Sequence, residues 1–187
     1  VKYNTNRFRS SLEAWGKDLR FWMRFPTRQG EVVTVKTAVS AVSSDGAKLN
    51  MQELEGKTFA SLKAEGEKLW EGQLSKFKIE ATPEQRETFY TSVYHAFLHP
   101  FIFQDADGKF RELDKNIGQA EGFTNYTVFS LWDTYRALHP LFNLVQRDIN
   151  ADIVNSMLAH YDKSVEHMLP VWSFYGNETW CKIGRAS

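Results

Sequence analysis

The sequence predicts a mixed fold: a piece of sheet, a helical connector, then a mainly helical body. Three observations carry this reading. Residues 19–25, "LRFWMRF", alternate Leu19, Phe21, Met23 and Phe25 against Arg20, Trp22 and Arg24, the period of a half-buried strand. The hydrophobic period changes at Asn50. Thr82-Pro83-Glu84-Gln85 is a helix-start signature in front of a long apolar face.

In chain order, "TRQG" predicts a turn through Gly30, and the Val- and Thr-rich run "EVVTVKTAVSAVS" predicts a second, longer strand ending at Asp45-Gly46. A lone hairpin is marginal in water, so the pair is expected to belong to a larger sheet. Asn50 with Glu53 resembles a capping pair, and Thr58 is placed to cap a helix carrying Phe59, Leu62, Leu69 and Trp70. "LSKFKIEA" reads as an extended connector. The helix after Thr82 presents Tyr90, Val93, Tyr94, Phe97 and Leu98 up to Pro100, and "DADGKFREL" interrupts with an Asp-Gly turn. "SLWDTYRALHP" then sets Leu131, Trp132, Tyr135 and Leu138 on one predicted buried face, closed by Pro140. A further helix is expected at roughly 151–161, with Ile153, Val154, Met157, Leu158 and Tyr161 as its apolar residues.

Composition narrows the function classes. Lys plus Arg and Asp plus Glu both number 23, so the net charge is zero and there is no electrostatic footprint for nucleic acid or an anionic membrane. No apolar run approaches the roughly 20 residues of a membrane-spanning helix. The start "VKYNTNRFRS" has no apolar segment, so no signal peptide is expected in this chain. Cys181 is the sole cysteine, which excludes a disulfide within the chain or a Cys-based zinc site. Aromatic residues reach 14%, an excess that suits a large core or a sugar-stacking cleft.

Several clusters are candidate sites. Asp105, Asp107 and Asp114 around Gly108 resemble a calcium loop, but Gly108 would stand at position four and Asn116 at position twelve, where an EF-hand needs Gly at six and Glu at twelve. An exposed Asp-Gly hairpin is the expected reading. His95 and His99 are spaced for one helical face, yet Ala96, Phe97 and Leu98 between them supply no glutamate of a metalloprotease motif, so a structural role is expected. Cys181 beside Lys182 reads as structural. Asp133 and Arg136 leave two readings open: an intrahelical ion pair that helps packing, or a sugar-binding pair in which Trp132 stacks and Asp133 accepts hydroxyl hydrogen bonds. In "YGNETW", Gly176-Asn177 predicts a turn, with Glu178 opening a helix or facing a polyhydroxylated ligand beside Trp172, Tyr175 and Trp180.

"FYTSVYHAFLHP", the Asp-rich loop at 105–111, "FSLWDTYRALHPL" and "LPVWSFYGNETWC" occur in that order. Together they resemble family 92 of the glycoside hydrolases, calcium-dependent exo-acting α-mannosidases, and the resemblance runs from about residue 17 onward. It implies that residues 1–49 are the tail of an N-terminal β-sandwich, 50–81 a helical linker, and 82–187 the start of an (α/α)6 barrel. It also implies inverting hydrolysis of terminal mannose, expected at α-1,2 linkages, from a mannose-containing oligosaccharide or N-glycan, in a secreted or periplasmic protein.

The family's acid lies in an "HxNEP"-like motif and its base in a "GNDDxGQ"-like motif; neither occurs in this sequence. No catalytic residue and no metal ligand are therefore assigned, and calcium ligands are expected outside the chain. Carried over by position, Trp132 and Asp133 are expected to line the mannose pocket, with Asn177 and Glu178 near it. The end "CKIGRAS" departs from the expected "CMIGYHS"-like sequence at Lys182, Arg185 and Ala186. Two further readings stand beside the mannosidase segment: a stand-alone carbohydrate-binding or scaffold protein derived from that fold, and an independent enzyme using Asp133 and Glu178 as its carboxylate pair.

Overall fold

The computed structural model describes residues 17, 18, 20, 22, 24–164 and 166–178. The expectations for Leu19, Phe21, Met23 and the segment from Thr179 to Ser187 lie outside the described residues. The chain divides between Val35 and Lys36 into two units. In the first, the predicted turn forms: Gly30 has φ +83, Glu31 N–H donates to the Arg28 carbonyl (3.1 Å), and Arg28 N–H donates to the Glu31 carboxylate (2.9 Å). Among the described residues before Ser44 none lies in a strand, so the second predicted strand does not form. A strand takes its backbone hydrogen bonds from a neighbour, and Val and Thr propensity expresses only fitness for a pleated, half-buried surface. Without such a neighbour among the described residues, Val32 and Val39 remain exposed.

In the second unit, α1 (Ser44–Met51) starts where a strand end was expected. Ser43 Oγ accepts from Gly46 N–H (3.0 Å), so Asp45-Gly46 forms a first helical turn rather than a loop. Asn50 lies in the last turn of α1 and caps nothing. Its amide instead donates to the Val39 carbonyl (2.9 Å) and Asp105 (2.8 Å), and its oxygen accepts from Ala106 N–H (2.8 Å).

Thr58 does cap α2 (Phe59–Leu74), in a reciprocal box with Ser61, and Thr82 caps α3 (Pro83–Ala96), in a box with Gln85. The connector between α2 and α3 is pinned by Tyr90 Oη donating to the Phe77 carbonyl (2.8 Å) and by Phe77 packing on Phe89 and Phe97. Trp70 of α2 meets Tyr94 of α3 at 4.5 Å between ring centroids.

Beyond α3 the expected run of helices is interleaved with short strands. β1 (Phe101–Ile102) pairs with β4 (Tyr126–Thr127), and β2 (Lys109–Arg111) with β3 (Ile117–Gln119). β5 (Phe129–Ser130), β6 (Trp172–Phe174) and β7 (Asn177–Glu178) form an antiparallel sheet in that order. Strands of two or three residues are too short to show a period of two, which hides them in the sequence.

"SLWDTYRALHP" splits into a single turn, α4 (Leu131–Thr134), and α5 (Leu138–Val145). Pro140 lies in the first turn of α5, where its missing N–H costs nothing, instead of closing the segment. The last helix, α6 (Arg147–Lys163), exceeds the expected range at both ends. Its inward face is Ile153, Ser156 and His160 with Met157, while Val154, Leu158 and Tyr161 are exposed. Tyr126, Phe129, Leu131, Phe142 and Ile153 form the core, flanked by Phe97, Leu138, Ile149, Met157 and Leu169.

Candidate sugar-binding site

The junction of β5 and α4 positions the first two candidates. Phe129 and Leu131 are both buried in the core, and Leu131 N–H donates to the Val171 carbonyl (3.0 Å), so the backbone is fixed on either side of Ser130. One residue further on, Trp132 turns outward and is 66% exposed, with Asp133 exposed beside it. The predicted buried face thus holds for Leu131 and Leu138 only. Tyr135 is also exposed, because the helix breaks after a single turn and the four residues no longer share one axis.

Of the two readings for Asp133 and Arg136, the ion pair does not form. Arg136 Nε donates to Tyr135 Oη (2.8 Å), with the guanidinium 5.4 Å from the Tyr135 ring centre. Asp133 Oδ2 instead accepts from Ser130 Oγ, and Ser130 Oγ accepts from the Trp172 indole N–H (2.8 Å). The site therefore offers an aromatic face and, next to it, a carboxylate anchored through one oxygen. A sugar ring presents C–H groups to the first and hydroxyls to the second.

Asn177 and Glu178 arrive from the β6–β7 hairpin rather than from a helix start. Tyr175 (φ +53) and Gly176 (φ +69) form its two-residue turn, both in the left-handed conformation that such hairpins require. A Cβ on Gly176 would lie 2.8 Å from the Arg111 carbonyl. Asn177 Oδ1 accepts from Lys115 Nζ, which also donates to the Gly176 carbonyl (2.6 Å). Glu178 stands opposite Ser173, in the row of Phe129, whereas Ser130 and Trp172 form the neighbouring row. Adjacent rows project to opposite faces of a sheet. Glu178 therefore projects to the face opposite Ser130 and Trp172, whereas Asn177, the partner of Phe174, projects to theirs; Trp132 and Asp133 stand side by side on α4, just beyond β5.

The Ser173 row is backed by α6. His160 Nδ1 lies 2.7 Å from Ser173 Oγ, and its ring packs edge-on against Phe129. Burial lowers the His160 pKa to about 4, keeping the ring neutral. His95 and His99 do not share a helical face, because α3 ends at Ala96 between them. The three aspartates of the calcium-like loop are engaged separately. Asp105 is buried against Ser40 (2.6 Å) and Asn50, Asp107 pairs with Lys109 (2.7 Å), and Asp114 accepts from Asn116 (2.9 Å). Among the described residues no group of three His, Cys, Asp or Glu side chains is close enough to hold a metal ion. A groove of about 370 Å³ next to Asp105 and Tyr175 includes neither Trp132 nor Asp133.

Sequence patterns named Trp172 only as a neighbour of Glu178. Ser130, His160 and Lys115 carried no signal of their roles, because each acts across a contact between segments distant in sequence.

Comparison with known proteins extends this picture. A family model described as the glycosyl hydrolase family 92 catalytic domain matches residues 46–187. The structure of the family GH92 alpha-mannosidase BT3965 from Bacteroides thetaiotaomicron is 74% identical, with a TM-score of 0.75, over 78% of this chain and 20% of that one. The same mannosidase in complex with mannoimidazole matches at 74% identity and a TM-score of 0.75, over 78% of this chain and 19% of that one. The GH92 family glycosyl hydrolase ccman5 is 26% identical, with a TM-score of 0.63, over 67% of this chain and 17% of that one. No curated protein matches significantly. The chain thus spans about a fifth of the length of the Bacteroides mannosidase.

Proposed function

This chain belongs to glycosyl hydrolase family 92, and we propose that it is a segment of an exo-acting, inverting α-mannosidase in which Trp132 and Asp133 form part of the wall of the terminal-mannose pocket. The observation that carries the reading is the pairing of an exposed indole with a carboxylate held at one oxygen, in a chain 74% identical to an alpha-mannosidase also solved with mannoimidazole. The indole stacks on the apolar face of the sugar, and the remaining carboxylate oxygen accepts hydroxyl hydrogen bonds. Asn177 and Glu178, on the small sheet whose strand β5 leads into α4, are placed near the pocket by family resemblance.

Inversion needs a general acid and a general base about 6.5–9.5 Å apart, with water between base and sugar. Asp133 and Glu178 belong to neither family motif, so no proton transfer is assigned to them. Among the described residues no group of three His, Cys, Asp or Glu side chains suits calcium, and the ion's ligands are expected elsewhere in the protein. Substrates are mannose-containing oligosaccharides or N-glycans, with α-1,2 linkages as the expected bond. A secreted or periplasmic protein is proposed on family resemblance. So is the arrangement of a β-sandwich tail over 1–49, a linker over 50–81 and the start of an (α/α)6 barrel over 82–187, supported by the catalytic-domain match that begins at residue 46.

Asp133→Asn in the full-length protein tests the pocket. The carboxylate is exposed and forms no ion pair among the described residues, so thermal stability should change by less than about 1 kcal/mol. Mannoside kcat/KM should fall at least about tenfold, the scale of one lost charged hydrogen bond. Normal turnover with a collapse in stability would assign Asp133 to the fold instead.

A further inference from the structure

We propose that Ser130 is a positioning residue for Asp133, set by the Trp172 indole so that one carboxylate oxygen is held by the protein and the other is left for the sugar. The inference rests on the mannose-pocket reading and adds to it the means by which the pocket's acceptor is oriented.

The direction of each hydrogen bond is fixed by chemistry. An indole N–H can only donate, and a serine hydroxyl has a single proton. Trp172 Nε1 donates to Ser130 Oγ at 2.8 Å and so occupies an acceptor position of that hydroxyl. The Ser130 proton is then directed to its other partner, Asp133 Oδ2. That oxygen is engaged. Oδ1 accepts no hydrogen bond from any described residue and is the oxygen left for a ligand.

Both members of the relay are rigidly mounted. Ser130 lies between Phe129 and Leu131, and Trp172 between Val171 and Ser173, all four buried. Ser130 and Trp172 are also direct partners across β5 and β6. Thr134 Oγ1 donates to the Ser130 carbonyl (3.0 Å) and ties the single turn of α4 back onto the strand that precedes it. Asp133 stands on that turn, exposed, and would otherwise sample several rotamers. The relay restricts those rotamers before the sugar arrives, so less ordering is left to oppose binding.

A double-mutant cycle on the full-length protein tests this, with mannoimidazole affinity measured by calorimetry in the wild-type and Asp133→Ala backgrounds. Ser130→Ala is expected to weaken binding about tenfold in the wild type and to have no further effect in Asp133→Ala, which removes the acceptor through which it acts. Ser130→Thr, which keeps the hydroxyl, should restore affinity to within about threefold of wild type. Equal losses in both backgrounds would overturn the proposal, placing the serine's effect in the general fold. It would also be overturned if Asp133→Ala weakened binding while Ser130→Ala did not, and the pocket reading would then survive. If Asp133→Ala itself left affinity unchanged, the pocket reading and this inference would fail together. Should Ser130→Ala not fold, Trp172→Phe enters the same cycle: weaker binding confined to the wild-type background supports the relay, and an equal loss in both backgrounds overturns it.

Discussion

Protonating His160 would place a charge in a site where Ser173 Oγ is its hydrogen-bonding partner and the Phe129 ring is its neighbour. Burial holds its pKa at about 4, against about 6.5 in the unfolded chain. Between those values the unfolded state binds more protons, so stability rises with pH across the window and is lost as pH falls from about 6.5 to about 4. The full loss from this residue is about 3 kcal/mol. His160→Gln should flatten that part of the profile, as seen in urea midpoints at pH 7.5, 6 and 4.5. An unchanged slope in the variant would show that other groups govern the acid transition. The same residue shows what local sequence conceals: nothing in "MLAHYDK" separates a buried, neutral histidine from an exposed one.

At the scale of elements, glycine in a helix can act in opposite directions. Gly46, in the first turn of α1, meets Asp105: a Cβ there would lie 2.1 Å from Oδ2 and 2.7 Å from Ser40 Oγ. Asp105 cannot easily give way, because Ser40 and Asn50 both hold it by hydrogen bonds. The helix-propensity gain of alanine, about 1 kcal/mol, is therefore outweighed, and Gly46→Ala should destabilise by about 1–3 kcal/mol net. A Cβ added at Gly66 in α2 would meet nothing within 4 Å, and Gly66→Ala should stabilise by up to about 1 kcal/mol. Thermal unfolding of the two variants should shift in opposite directions; shifts of the same sign would refute the role given to Asp105. Asp45-Gly46 has the composition of a turn, and only the approach of Asp105 explains the glycine once the segment is known to be helical. The capping boxes at Thr58 and Thr82 lie at the other extreme. Each is completed within four residues, so both caps, and the Gln85 half of the second box, were legible in advance, while the Ser61 half of the first was not.

For the whole molecule, the informative ratio is the span of about a fifth of a related mannosidase. Family resemblance puts the acid and base in motifs that this sequence lacks. The 187-residue chain by itself should therefore release no mannose from α-1,2-mannobiose, with or without added calcium. Calcium-dependent release from the isolated chain would show that its own carboxylates, Asp133 and Glu178 first among them, perform the chemistry. Exposed Val32 and Val39 and the absence of strands in the described residues before Ser44 accord with a β-rich run whose hydrogen bonds need a partner surface.

The sequence by itself determined the family, the capped helices α2 and α3 and the turn at Gly30. These are properties of short segments, or of ordered motifs that survive without any knowledge of contacts. Tertiary structure decided that Asp133 answers to Ser130 and Trp172 rather than to Arg136, that "YGNE" is a hairpin, and that the body is laced with strands of two and three residues. Those outcomes depend on hydrogen bonds and buried contacts between segments far apart in the chain, 42 residues in the case of Ser130 and Trp172. Hydrophobic period and turn composition record only what a residue asks of its immediate neighbours.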